Sequence, residues 1–284
     1  MALGALIGGV AVGGLLLLLR QPGHEGDWVD EHRELALVIR ENDAIKMRGI
    51  RDFRWDGDDV PEVRWREETF RLSDVDRMYF VVEPFQGFRG AAHTFLSFHL
   101  GADRFLVVSL EARREVGQAY GVIKGMLRTY PLIMVWGTER DLIGLRTMVR
   151  GNDLYLYPVR AEPEAVQRLL GRLLERHEEL VADPEFYHTI WRNCTGGLLQ
   201  EVNALYPGAV PWHRTWIFPE NLDLYLFDLD LIETPLHRED LRSLHRLNEA
   251  VARHAQAEEF SARIRDEIFA DAKRAGDREA EGAQ

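Results

Sequence analysis

Eight strand-like runs lie within the first 160 residues of this sequence and strong amphipathic helices follow, an order that points to a mixed α+β domain. The run "ELALVIRENDAIKMRGIRDFRW" reads as two strands around a turn at Asn42-Asp43. "PEVRWREETFRL" alternates polar and apolar residues, as a half-buried strand does. "MYFVVEPF", "HTFLSFHL" and "RFLVVSLEA" follow, the last two joined by the short hairpin connection Gly101-Ala102-Asp103-Arg104. "LIMVWGT" and "DLYLYPV" complete the set, with "ERDLIGLRTMVR" between them. "EVGQAYGVIKGMLRTY" has helical spacing and stops before Pro131. A strongly amphipathic helix is expected over 163–180, and a second from near Cys194 until Pro207. "LDLYLFDLDLI" reads as strand or loop, residues 239–273 as charge-rich amphipathic helix, and 275–284 as a polar, frayed tail.

The N-terminus sets the wider organisation. Met1 to Leu19 carries no charge and ends at Arg20, long enough to span a hydrocarbon core as a helix. A secretory signal could have this length, but the first residues lack Lys and Arg, and no small-x-small cleavage site follows the leucines. A retained transmembrane helix is therefore expected. Arg20 fixes its orientation only weakly, and the acidic stretch from His24 to Glu34 suits an exported side. The expected division is a transmembrane helix over 1–20, a linker and first strand over 21–39, the main domain over 40–235, and a C-terminal helix and tail over 236–284.

The 284 residues carry a net charge of -12, with no basic stripe interleaved with aromatics, which argues against a nucleic-acid partner. An acidic chain is repelled by anionic lipid head groups, so membrane attachment is expected to come from apolar contact. There is one cysteine, so neither an intramolecular disulfide nor a cysteine-based metal site can form. No metal and no cofactor are expected. The sequence contains no G-x-S-x-G, Walker loop, H-E-x-x-H or EF-hand loop. Asp223, Asp228 and Asp230 alternate along an apolar run and read as solvent-facing.

Cys194 lies in Asn193-Cys194-Thr195, where a polar segment gives way to an apolar helical pattern. A cysteine on the first turn of a helix faces unpaired backbone N–H groups and the positive end of the helix dipole, which favour the thiolate. The same groups can stabilise an oxyanion, with Asn193 and Thr195 beside the thiol as oxyanion or supporting residues. Gly196 and Gly197 leave room for a substrate. The plainer reading is that Asn193 caps the helix and Cys194 packs inward.

A base is needed, and His93 is the candidate. It opens the strand "HTFLSFHL" behind Gly90-Ala91-Ala92, with a rigid backbone at its back. His99 shares the strand face but lies about 20 Å further along, so only one of the two can reach the thiol. His32, His177, His237, His245 and His254 read as solvent-facing, and His188 and His213 as structural. Glu111 falls opposite His93 if the hairpin loop is short, which makes it the candidate orienter of the imidazole, with Ser97 and Ser109 as alternatives. An ion pair of Glu111 with Arg113 or Arg114 is the competing reading. "ERDLIGLRT" and "EARRE" read as structural ion pairs, with room for one Arg near the substrate.

"IRDFRW", "HTFLSF", "VSLEARRE", "ERDLIGLRT", "YLYP" and "NCT", in that order, resemble the Lnb N-terminal periplasmic domain family over roughly residues 40–205. The His-before-Cys order also resembles the circularly permuted papain-like (NlpC-type) fold, which includes lecithin:retinol acyltransferase. The resemblance implies an α+β domain with an antiparallel sheet and flanking helices, held in the periplasm by the inner membrane. It implies His93, Glu111 and Cys194 as the catalytic set. The implied chemistry is thiol acyl transfer: an acyl chain passes from a phospholipid to Cys194 as a thioester, and then to the amino group of a lipoprotein or another amine acceptor. The competing expectations are a cell-envelope cysteine hydrolase (peptidase or amidase) and a non-enzymatic periplasmic assembly module.

Overall fold

The computed structural model describes residues 17, 19–55 and 61–282, with side chains to residue 275. The expected transmembrane helix over 1–20 lies almost wholly outside the described residues. Among the described residues no helix is long and apolar enough to cross a membrane.

The eight expected strands form as β1 (Leu37–Glu41), β2 (Ala44–Arg51), β3 (Trp65–Arg71), β4 (Arg77–Pro84), β5 (Ala92–His99), β6 (Phe105–Ala112), β7 (Leu132–Gly137) and β8 (Tyr155–Pro158). The β1–β2 turn holds Asn42 at φ 55°, a left-handed conformation that asparagine tolerates better than most residues. The sheet runs β1-β2-β7-β6-β5-β4-β8, with β3 paired to β2 off this path. Every pairing is antiparallel except β2–β7, which meet in parallel at Arg51 and Gly137.

The helices are α1 (Asp30–Arg33), α2 (Val122–Met126), α3 (Glu139–Gly144, continued by a π turn over Leu145–Val149), α4 (Pro163–Ala182), α5 (Cys194–Leu205), α6 (Leu222–Asp228), α7 (Leu241–His245), α8 (Asn248–His254) and α9 (Phe260–Gly282). They cover both faces of the central strands. On one face Leu96, Phe98, Val108 and Trp136 pack with Leu170 and Leu173 of α4 and Leu198 of α5. On the other, Val81, Phe95 and Val107 pack with Leu142 of α3, Val251 of α8 and Ile264 of α9. Burial on both sides explains why β7 reads as a near-continuous apolar run rather than an alternating one.

Three expectations change. The helix expected before Pro131 shortens to α2, since Gly117 at φ 76° and Arg128 at φ 52° break the chain on either side. "LDLYLFDLDLI" is helical over α6: Leu222 and Leu226, one turn apart, are both buried, a spacing that an alternating run also satisfies. Asp223 is buried rather than solvent-facing, accepting from the Tyr157 hydroxyl at 2.8 Å and from Arg242 at 2.7 Å. Residues 239–273 divide into α7, α8 and the start of α9 instead of one helix.

"IRDFRW" and "ERDLIGLRT" meet at Asp141. This fully buried carboxylate accepts from Arg51 Nε at 2.7 Å, the Phe53 amide at 2.9 Å and Trp55 Nε1 at 2.9 Å. The contacts anchor the start of α3 and so the segment that carries Arg146.

Candidate active site

Helix α5 begins at Cys194. Asn193 caps it, its side-chain oxygen accepting from the Gly196 N–H at 2.6 Å. Its amide nitrogen donates to the Thr189 carbonyl at 2.9 Å, so this side chain is fully engaged in holding the helix start. The backbone oxygen of Asn193 accepts from Gly197. That leaves the first-turn N–H groups of Cys194 and Thr195 without an acceptor among the described residues, as helix geometry requires of its opening positions. Gly197 faces the sheet rather than a substrate: a Cβ there would lie 2.4 Å from Leu110 Cδ2 of β6. Its lack of a side chain lets α5 settle flush on the sheet. The Thr195 hydroxyl bonds that of Thr94 at 2.9 Å, tying the helix to β5.

His93 and Thr94 point to opposite faces of β5, as successive strand residues must. Strand pairing between β5 and β6 stops at Leu96 and Val108, so the two strands part beyond that point. Continuing the same register would set Glu111 across from His93, and the side chains do meet. His93 Nε2 lies 2.7 Å from Ser109 Oγ and 3.1 Å from Glu111 Oε1. The Ser109 hydroxyl donates to Glu111 at 2.8 Å, so its oxygen is free to accept from Nε2–H. Two acceptors therefore fix Nε2 as the protonated nitrogen and turn Nδ1 toward the thiol. The imidazole and the Cys194 sulfur act on one another electrostatically, each charge favouring the other. The sulfur itself lies 4.0 Å from the Ala92 carbonyl and 3.8 Å from the Thr195 hydroxyl.

Arg146, buried on the π turn after α3, completes the row. Its Nη2 donates to Glu111 and its Nε to Glu83, each at 2.9 Å. Glu83 is the register partner of His93 on β4. Glu83, His93 and Glu111 thus form a line across three strands, clamped by one guanidinium. Glu111 pairs with His93 and Arg146 instead of Arg113 or Arg114. Ser97, the other alternative orienter, bonds Glu139 in the core.

The electrostatics follow from this packing. Burial alone would push the His93 pKa down, but the Glu111 carboxylate and the Cys194 sulfur raise it to about 10. Burial alone would push the Cys194 pKa up, but the His93 imidazolium, the Thr94 N–H and the Thr195 hydroxyl bring it below its usual value. Glu111 is held well below the usual carboxylate range, the cost of burial being outweighed by His93 and Arg146. The favoured state is a thiolate–imidazolium pair.

A cleft of about 610 Å³ opens over this row. Phe85, Phe88, Met126, Ile190 and Phe218 give it an apolar wall, while Arg114, Arg146 and Arg150 line it with positive charge. His32 also lines it and is buried rather than solvent-facing. Its Nδ1 accepts from the Arg114 N–H at 3.0 Å, and burial lowers its pKa to about 3, so it stays neutral. His177 and His245 are likewise buried, while His99 bonds Asp76 at the far end of the strand. Among the described residues no group of three or more His, Cys, Asp or Glu side chains could hold a metal ion. Sequence reasoning missed Ser109 as a simultaneous partner of His93 and Glu111, and missed Arg146, Arg150 and His32. The only advance signal was the charge density of "ERDLIGLRT".

Fold and site together define a mixed α+β domain with a histidine-paired thiol at a helix start, set in a cleft. Residues 62–218 match the model of the Lnb N-terminal periplasmic domain, and the chain belongs to that family. The family is one of periplasmic domains, which places this domain in the periplasm. No curated protein matches the chain, and no solved structure does.

Proposed function

We propose that this protein is a membrane-anchored thiol acyltransferase that takes an acyl chain from a phospholipid onto Cys194 and passes it to the amino group of a lipoprotein. The observation that carries the reading is the combination of a thiolate–imidazolium pair with an apolar cleft wall. A hydrolase acting on peptide or glycan would need a polar, wet cleft. The order of a strand-borne His93, a partner on the next strand and a later helix-heading Cys194 supports a circularly permuted papain-like arrangement.

The chemistry runs in two halves. The Cys194 thiolate attacks the ester carbonyl carbon, and the developing oxyanion is met by the Cys194 and Thr195 backbone N–H groups. As the C–O bond breaks, the His93 imidazolium gives its Nδ1 proton to the departing glyceryl oxygen, which leaves a lysophospholipid and a Cys194 thioester. In the second half an amine attacks the thioester and neutral His93 takes its proton. The thiolate then leaves, and an amide is formed. Glu111 and Ser109 hold the imidazole in one tautomer throughout. Arg114 and Arg150 face the place where a lipid phosphate would lie.

Intact-mass measurement after incubation with phospholipid tests this directly. A gain of one acyl chain that hydroxylamine removes is expected. Release of free fatty acid at the same rate with and without an amine acceptor would instead identify a hydrolase. No gain and no release would leave the proposal without support.

A further inference from the structure

We infer that the mouth of the cleft is a docking face for an anionic phospholipid bilayer. This builds on the acyl-transfer reading, which brings its donor from a membrane, but stands on separate observations.

Four segments surround the opening, and each contributes lining residues: Phe85 and Phe88, Tyr120 and Met126, Thr189 and Ile190, and Ile217 and Phe218. They carry most of the large apolar side chains exposed among the described residues. Phe88 is 54 % exposed, Ile123 72 %, Trp191 64 % and Trp212 71 %. The exceptions elsewhere are Leu19, Leu37, Val63 and Val181. Phe85, Phe88, Tyr120, Met126 and Phe218 are both exposed and part of the cleft lining. Exposed apolar side chains gathered at one opening mark a contact surface, and the exposed Trp191 and Trp212 on two of the same segments suit a bilayer interface.

The charge pattern then selects the partner. The chain as a whole is acidic at -12, yet 84–102, 116–138, 186–200 and 202–219 contain no Asp or Glu. The same segments present Arg89, Lys124 and Arg214 at the surface, and none of the three pairs with a carboxylate among the described residues. Apolar tips beside free cations complement anionic head groups over an acyl layer. Of the carboxylates near the cleft, Glu111 is engaged with Arg146 and Glu220 with the Gly90 N–H.

A third observation concerns Arg20, which follows the uncharged N-terminal run in sequence. Its carbonyl accepts at 3.2 Å from Nη2 of Arg128, two residues beyond the cleft-lining Met126. Residue 20 is thus tied to one of the segments that line the cleft.

The single native cysteine makes the test simple. In the full chain carrying Cys194→Ala, separate Phe88→Cys, Ile123→Cys and Trp212→Cys variants would carry an environment-sensitive fluorophore. Val63→Cys and Val181→Cys serve as controls. The proteins are placed in phosphatidylcholine vesicles with and without phosphatidylglycerol. Rim labels are expected to be quenched by nitroxide-bearing lipid and shielded from iodide, more so with phosphatidylglycerol, and control labels the reverse. Arg89→Glu with Lys124→Glu should remove the dependence on phosphatidylglycerol. Rim labels as open to iodide as the controls in both vesicle types would overturn the inference. Rim labels shielded from iodide yet untouched by lipid quencher would mark a protein partner or a second copy, and would overturn it too. Equal immersion in the two lipids would overturn the electrostatic part. Because the labelled proteins lack the thiol, this result is independent of whether a thioester ever forms.

Discussion

Arg146 donates to Glu111 at 2.9 Å from within the core, so the carboxylate that meets His93 is itself held by a buried cation. The same guanidinium holds Glu83, and removing it leaves Glu83 with only the Asn152 amide and Glu111 with only His93 and Ser109. Breaking a buried pair of this kind costs about 3–5 kcal/mol. Arg146→Gln is expected to lower unfolding free energy by that order in urea denaturation. Arg146→Lys, which cannot reach both carboxylates with a planar fork, should recover only part of it.

The Cys194 pKa is depressed by the His93 imidazolium, so half-maximal iodoacetamide alkylation should come at a lower pH than for an ordinary thiol, and reactivity should fall as pH drops through the lowered value. His93 has a folded pKa raised from 6.5 to about 10. Its contribution to stability is therefore fully present below pH 6.5 and lost as pH rises through about 10. In His93→Gln the sulfur keeps its burial and loses its cation, so half-maximal alkylation should move upward in pH. An unchanged pH profile in that variant would show that the imidazole does not set the state of the thiol.

His93→Gln should also reduce thioester formation by about 10²–10⁴-fold, the range general acid–base groups supply. Cys194→Ala should abolish the acyl adduct while circular dichroism and melting remain close to those of the parent, since a small buried side chain is exchanged for another. Hydroxylamine-sensitive acyl adduct in Cys194→Ala would place the nucleophile elsewhere.

The strands, the start of α5 and the meeting of His93 with Glu111 were legible in the sequence for identifiable reasons. Asn193 followed by an apolar helical pattern marks a cap whatever the tertiary context. The short Gly101–Arg104 connection sets the β5–β6 register, and that register is enough to bring Glu111 to His93. What could not be read came from tertiary packing. Arg146 reaches the site from a π turn more than thirty residues beyond Glu111, in a segment whose charges looked like surface ion pairs. His32 looked solvent-facing because its neighbours in sequence are charged, yet the sheet covers it. The alternation of "LDLYLFDLDLI" fitted a strand as well as a helix, and only packing decided between them.

Gly197 tests how the thiol is placed. A Cβ there would meet Leu110 Cδ2 at 2.4 Å, so Gly197→Ala must lift the first turn of α5 or displace Leu110 from the cleft. Overpacking of this kind costs about 1–3 kcal/mol. Stability should fall by that order in thermal or urea unfolding. The alkylation profile of Cys194 should shift toward the ordinary thiol as its distance from His93 changes. Combining Gly197→Ala with Leu110→Ala should restore both readouts in part, which a defect unrelated to this contact would not do.

Arg150 offers the sharpest separation of binding from chemistry. It lines the cleft, pairs with no carboxylate among the described residues, and has its pKa lowered by burial and by the neighbouring Arg146. A cation in that situation gains when an anion arrives. In the proposed reaction the anion is the phosphate of the lipid donor, which Arg150 touches without approaching the ester. Arg150→Gln removes a charge-assisted hydrogen bond worth about 1.5–3 kcal/mol. It is expected to raise KM for phospholipid by roughly 10–100-fold, with kcat for thioester formation little changed. An uncharged acyl ester of the same chain length should show no such increase. A loss confined to kcat would instead mean that Arg150 acts on the reacting centre through Arg146.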